Sequence, residues 1–119
     1  MSLLNNAKLR NVSGILPTQK TAIKSFMRGA IYAWIRNRPR QVFAVRDLVG
    51  GPNWDWSGTP LYDLFDRHQK AGKTNSSAMK RAAIDLGWLV KSVLAEDKRS
   101  FLSTKTWRAN GYSWIGNEP

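Results

Sequence analysis

Apolar residues recur at intervals of three and four after Thr18, and this spacing constrains the fold more than any other feature of the chain. The residues that share it are Ile23, Phe26, Met27, Ala30, Ile31 and Trp34. Side chains at this spacing lie on one side of an α-helix, which has to bury that side against other elements. Thr18 is a suitable N-cap and Pro39 interrupts helical hydrogen bonding, so the pattern predicts a core-facing helix between them.

The chain length of 119 residues corresponds to one domain, and six Trp, four Phe and three Tyr supply bulky side chains for its core. Residues 1–17 are polar and end at Pro17, so we expect an N-terminal arm followed by a folded domain over residues 18–119. The absence of cysteine excludes disulfide bonds and thiolate zinc sites. The sequence has no apolar run of membrane-spanning length and no signal-peptide core, and we expect a cytoplasmic protein without a membrane partner.

The middle of the chain predicts a short strand and a second helical region. Residues 41–45 are rich in strand-forming residues and run into a turn of helix that Asp47 could cap. An inserted loop follows over residues 50–58, which contain glycines, a proline and two tryptophans. Thr59 and Pro60 form a strong helix start, and the helix that they begin should end near residues 71–72.

The last third of the chain predicts a third helix and a β-hairpin. Asn75 or Ser76 would cap the helix, and Gly87 has the position of a C-terminal stop. Its buried side would consist of Met79, Ala82, Ala83 and Leu86. Residues 88–94 and 101–107 are rich in strand formers and flank a charged turn over residues 96–99, which predicts the two strands of the hairpin.

This order of helix, short strand, helix, helix and β-hairpin resembles the winged helix-turn-helix family of DNA-binding domains. The resemblance depends on residues 43–48 as the strand and helix entry, residues 76–89 as the third helix and its exit, and residues 90–107 as the wing. It implies an α+β fold that is mainly α, with three helices and a C-terminal β-hairpin wing. The inserted loop at residues 50–58 departs from the family pattern.

The charge of the chain indicates a polyanionic partner. Lys and Arg number 19 against eight Asp and Glu, a net charge of +11. The basic residues are segregated, since residues 1–46 contain no acid at all. Phosphate contacts release counterions and thereby drive the binding of such proteins to nucleic acid. An anionic membrane surface and an acidic protein are the alternatives that charge alone leaves open.

The resemblance implies that the third helix lies in the major groove and that the wing touches phosphate or the minor groove. The residues expected to bind nucleic acid near this helix are Lys73, Asn75, Ser76, Ser77, Lys80 and Arg81. Lys98 and Arg99 would lie at the wing tip. A basic stripe at four-residue spacing on the first helix adds Lys20, Lys24 and Arg28. The alternatives are that Asn75 and Ser76 are only caps, and that the remaining cations are only solvated surface.

We therefore expect a small DNA-binding protein, a regulator of transcription or an accessory of replication or recombination in a phage or another mobile element. Double-stranded DNA is the expected partner, and a homodimer would add specificity to so small a module. One alternative is an RNA or single-strand binder that uses Trp54 and Trp56 as a stacking pair, although tryptophans in such a loop more often pack on the core. Another alternative is a protein-interaction module of an assembly.

The sequence does not predict an enzyme or a cofactor. His68 is the only histidine, and its position on an apolar helical face is typical of a boundary residue. Asp55, Asp63 and Asp66 could be read as a magnesium site of a nuclease, but Asp near helix starts is an ordinary cap or dipole partner. Neither a phosphate-binding loop nor a nucleophile motif is present.

Overall fold

A computed structural model describes residues 2–3, 8–50, 55–105 and 110–116, and of residues 2, 3 and 105 it describes the backbone alone. The protein is α+β and mainly helical. The described part contains four helices, a C-terminal antiparallel hairpin and a two-residue strand that joins it. The helices are α1 (Pro17–Asn37), α2 (Val45–Val49), α3 (Tyr62–Lys70) and α4 (Asn75–Glu96), and the strands are β1 (Ser2–Leu3), β2 (Phe101–Lys105) and β3 (Asn110–Trp114).

Helix α1 confirms the helix that the apolar spacing predicts, and it ends at Asn37, two residues before Pro39. Its fully buried residues are Ile23, Met27, Ile31 and Ile35, whereas Phe26 stays 38% exposed. The predicted cap at Thr18 is wrong, because the helix begins one residue earlier. The side-chain oxygen of Gln19 accepts the Leu16 N–H at 2.8 Å and so satisfies one of the amides at the helix start.

The second helical region is divided into α2 and α3. Asp47 is not the N-cap of α2 that the sequence predicts, because the helix begins two residues before it and Ala44 has the N-cap position. Asp47 instead accepts the Ala44 N–H at 2.8 Å from inside the first turn. The hydroxyl of Thr59 accepts the Leu61 N–H before α3, which begins at Tyr62. Because α2 is a helix of its own, the described chain has four helices and not the expected three.

Helix α4 is the largest departure from the expected fold. It continues for 22 residues to Glu96, so the predicted strand over residues 88–94 is wrong. Gly87 does not end the helix, since its backbone lacks the positive φ of a glycine C-cap. The apolar spacing simply continues, and Leu89, Val90, Val93 and Leu94 are all buried. The hairpin therefore begins after α4, with β2 where the second predicted strand starts.

The sheet binds the end of the chain to the helical body. Strand β2 pairs antiparallel with β3 and also with β1, in the order β1-β2-β3. The predicted strand over residues 41–45 is reduced to a single bridge, in which Phe43 pairs with Tyr112 of β3 with N–H···O distances of 2.8 and 2.7 Å. The rings of Phe43 and Tyr112 are buried and lie 6.1 Å apart between centroids. Among the described helices, none combines the length and the apolar character needed to cross a membrane.

Candidate nucleic-acid interface

The start of α4 follows α3 after a turn of four residues, and the two helices pack against each other. The hydroxyl of Thr74 accepts the Ser77 N–H at 3.2 Å, so Thr74 is the N-cap. The predicted cap roles of Asn75 and Ser76 are therefore wrong, and both residues are exposed inside the first turn. Asn75 accepts a hydrogen bond from the side chain of Gln69, which links this turn to the end of α3.

One side of α4 faces solvent along its first three turns. Lys80 and Arg81 are exposed, Ile84 keeps 56% of its surface accessible, and Ser77 is half-buried. The opposite side carries Ala78, Ala82 and Leu86, all fully buried. The prediction that Lys80, Arg81 and Ile84 point away from the core is thus confirmed, whereas Ser77, predicted with them, is partly covered. Lys73, half-buried, lies just before the helix start, where backbone amides and the helix dipole favour an anion.

Lys98 and Arg99 lie at the other end of α4, in the connection to β2. Their predicted place at the hairpin tip is wrong, because α4 extends through the segment that was expected to be the first strand. The tip itself, residues 106–109, lies outside the described residues. The Arg99 guanidinium stacks on Tyr32 of α1, 4.5 Å from the ring centroid, so its charge is held against the protein's own surface.

The basic stripe of α1 is also partly engaged within the protein. Lys20 donates to the side chain of Asn11 at 2.8 Å, and Lys24 donates to both carboxylate oxygens of Glu96 at 2.7 and 2.8 Å. The hydrogen bond from Lys24 holds the pKa of the Glu96 carboxyl below its usual value. Arg28 is half-buried on the same stripe. Lys24 therefore has less charge to offer a phosphate than an unpaired lysine would have.

Tyr32 of α1 is hydrogen-bonded to Asp97, the residue that follows α4. Tyr32 donates its hydroxyl to Asp97 at 2.5 Å, and burial together with this hydrogen bond raises the pKa of Tyr32. Asp97 also accepts the backbone N–H of Arg99 at 2.8 Å. These contacts hold the end of α4 against α1. They therefore give Tyr32 of α1 a structural role.

The predicted binding residues thus form two groups and not one. The first surrounds the start of α4, and the second comprises the α1 stripe with Lys98 and Arg99 around the end of α4. With a rise of about 1.5 Å per residue, the two ends of this 22-residue helix are about 30 Å apart. Within the first group, Lys80 and Arg81 have no carboxylate at ion-pair distance among the described residues.

His68 belongs to an ion-pair cluster between α3 and α4. It lies on α3, and its Nε2 is 2.7 Å from a carboxylate oxygen of Asp85 on α4. Arg67 binds the same carboxylate and also the backbone carbonyl of Ser13. All three side chains of this ion-pair cluster are mostly buried, with 17–21% of their surface exposed. The prediction of a boundary histidine is confirmed.

Of the two loop tryptophans, Trp56 is 4% exposed and its indole N–H donates to the Val49 carbonyl at 3.1 Å. It is a core residue, as the packing interpretation predicts. Trp54 lies outside the described residues.

In the described part of the chain, the acidic residues that could suggest a nuclease do not gather into a cluster able to hold a metal ion. Asp55 accepts from Ser57, and Asp66 pairs with Lys70 four residues on.

Three residues that line one groove with Ile84 were not among the predicted binding residues. Trp88 and Lys91, both half-buried, follow Ile84 on the same side of α4, and Arg46 of α2 lines the same groove. The signal that identifies Trp88 and Lys91 is the helical spacing from Ile84, which the interpretation of residues 88–94 as a strand concealed.

Comparisons with protein-family models, with curated proteins and with solved structures give no match to this chain.

Proposed function

We propose that this protein binds double-stranded DNA and that the first turns of α4 enter the major groove. The observation that carries the proposal is the exposure of Lys80 and Arg81, side by side at the start of a helix that follows α3 after a short turn. A major groove about 12 Å wide admits an α-helix, and arginine and lysine are the side chains that most often recognise guanine there.

The element order supports a winged-helix type of module. Helix α1, the bridged residue Phe43, the helical region, α4 and the hairpin follow one another as in the expected pattern. The additional helix α2 and the length of α4 are departures from it. In the proposed arrangement the hairpin of β2 and β3 takes the place of the wing.

Charge supports a polyanion as partner. A net charge of +11 remains after every Asp and Glu of the chain has been counted against the Lys and Arg. Asn75 and Ser76 add exposed hydrogen-bonding groups beside the two cations. Asparagine can pair with adenine and serine with phosphate or base, so this turn carries the groups that sequence discrimination requires.

The proposal is tested by fluorescence anisotropy with labelled duplex DNA, single-stranded DNA and RNA over a range of salt concentrations. We expect duplex DNA to bind most tightly and the logarithm of the binding constant to fall linearly with the logarithm of salt. Lys80→Gln should weaken duplex binding and reduce the salt slope by about one. Arg81→Ala should in addition change the base preference obtained in a binding-site selection.

Lys98→Gln is the matched control, because it also removes one exposed lysine charge but lies at the opposite end of α4. Equal losses from Lys80→Gln and Lys98→Gln would overturn the groove assignment. Preference for RNA or single strands over duplex would favour the alternative of a single-strand binder. Absence of salt-dependent binding to all three nucleic acids would favour a protein-interaction module.

A further inference from the structure

A groove of about 410 Å³ lies between α2, the middle of α4 and β3, beside the proposed DNA-binding surface. Its deep part is apolar, since the side chains of Trp56 and Tyr112 that line it are only 4% and 3% exposed. Ile84 and Trp88 of α4 border it on one side. A volume of this size falls within the range of about 300–1,000 Å³ that is typical of pockets for small molecules.

The charged residues that line the groove are all cationic. Arg46 of α2 and Lys91 of α4 both line it, and no acidic side chain does so in the described part of the chain. Neither cation has a carboxylate at ion-pair distance among the described residues. The Lys91 ammonium instead lies 5.3 Å from the centroid of the Trp88 ring. An apolar pocket with unneutralised cations favours a ligand with an apolar body and one negative group.

Gly87 is the residue that keeps this groove open. It lies in the interior of α4 and lines the groove, and a Cβ added to it would meet no atom within 4 Å. Glycine destabilises a helix interior relative to alanine, so packing and helix stability give no reason for a glycine here. A larger side chain at this position would occupy the groove without displacing the protein's own atoms.

We propose that this groove binds a small amphiphilic anion of the aromatic carboxylate class. Its ring system would contact Trp56, Tyr112 and Trp88, and its carboxylate would pair with Lys91 and Arg46. The site does not depend on the proposed function, because its two cations are distinct from Lys80 and Arg81. A small ligand is favoured because a volume of about 410 Å³ with two buried aromatic side chains suits one ring system.

The test uses 2-naphthoate as the probe and the full chain free of nucleic acid. Calorimetric titration should give saturable binding with one site, and NMR should show shifts of the indole N–H signals of Trp56 and Trp88. The neutral analogue 2-naphthylmethanol has the same ring system without the charge. We expect it to bind about tenfold more weakly, because a hydrogen-bonded charge pair is lost. Equal binding of the two compounds would overturn the assignment of an anion site.

Gly87→Leu should abolish naphthoate binding by filling the groove. Gly29→Leu is its matched control, since Gly29 also lies within a helix with no neighbour within 4 Å but does not line the groove. Undiminished binding to Gly87→Leu, or no saturable binding to the unsubstituted protein, would overturn the proposal. Circular dichroism checks the fold of both variants.

Lys91→Gln provides a second test that does not depend on the folding of Gly87→Leu. It should weaken naphthoate binding about tenfold and leave the binding of 2-naphthylmethanol unchanged. An unchanged affinity for naphthoate in Lys91→Gln would remove the proposed pairing with the carboxylate and overturn the proposal.

Discussion

The ammonium of Lys24 donates two hydrogen bonds, 2.7 and 2.8 Å long, to the carboxylate of Glu96, the last residue of α4. The ion pair joins α1 to the far end of the longest helix. It also removes from the basic stripe the residue that lies closest to its centre.

This ion pair predicts a pH-dependent stability. The folded protein holds the pKa of Glu96 below its usual value of 4.5, so charged Glu96 stabilises the fold above that pH. The stabilisation is lost as the pH falls through the lowered pKa. Glu96→Gln should therefore lower the free energy of unfolding by about 0.5 kcal/mol at neutral pH, because the pair is partly exposed. Urea denaturation should show that the difference shrinks as the pH falls below 4.5 and through the lowered pKa. A double-mutant cycle with Lys24→Gln isolates the pair, and additive effects would contradict the coupling.

The ion-pair cluster between α3 and α4 predicts a larger effect at Asp85. Asp85→Asn leaves Arg67 and His68 without their shared carboxylate, and all three side chains are mostly buried. We expect the free energy of unfolding to fall by about 1–3 kcal/mol in chemical denaturation. Asp66→Asn is the matched control, because the partner of Asp66, Lys70, is 77% exposed. A larger loss from Asp66→Asn than from Asp85→Asn would contradict the assigned role of the cluster.

Tyr32 predicts both a stability change and a spectroscopic one. Tyr32→Phe removes the hydrogen bond to Asp97 and should destabilise the protein by about 0.5–1 kcal/mol in thermal or urea denaturation. The pKa values of Tyr32 and Tyr112 are both raised above 10.0 by burial in the folded state. An ultraviolet titration of Tyr32→Phe should consequently lose one of two late-ionising phenols. Tyr62→Phe, at an exposed position, is the control for the removal of one tyrosine in the same titration.

A side chain at position 14 should crowd Arg67, and the same substitution at Gly58 separates this crowding from backbone strain. Gly14 has φ +85°, and a Cβ on it would collide with the Arg67 guanidinium. Gly14→Ala should destabilise the protein by about 1 kcal/mol or more, measured by urea denaturation. Gly58→Ala is the control, since Gly58 has φ +78° but open space around its Cα. If the two substitutions lower the free energy of unfolding by the same amount, the contact with Arg67 contributes nothing to the loss in Gly14→Ala.

The sequence predicted the elements whose apolar spacing is uninterrupted. Helix α1 and the exposed side of α4 with Lys80 and Arg81 agree with the structure because one apolar side determines which side chains are buried. The error at residues 88–94 has a local cause. Tryptophan, valine and leucine are good strand formers, and glycine often ends helices, so local preferences and spacing gave opposite answers at Gly87. Burial of Leu89, Val90 and Val93 against the other helices decides in favour of the helix.

The division of the basic residues into two groups could not be predicted once the length of α4 was wrong. Placing Lys98 and Arg99 at a hairpin tip would bring them near the start of the third helix. The observed helix instead carries them about 30 Å away from it. The groove was not predictable either, because it joins Arg46, Lys91 and Tyr112 from elements far apart in the chain.

The bridge between Phe43 and Tyr112 determines when the protein can finish folding. During synthesis the helices leave the ribosome first, and Phe43 has no backbone partner until β3 has followed them. A contact between segments so distant in the chain closes late because a long loop has to be ordered before the contact forms. A nascent chain that stops short of β3 therefore leaves the ring of Phe43 uncovered on the side of Tyr112, and such chains should be the ones that chaperones and proteases recognise.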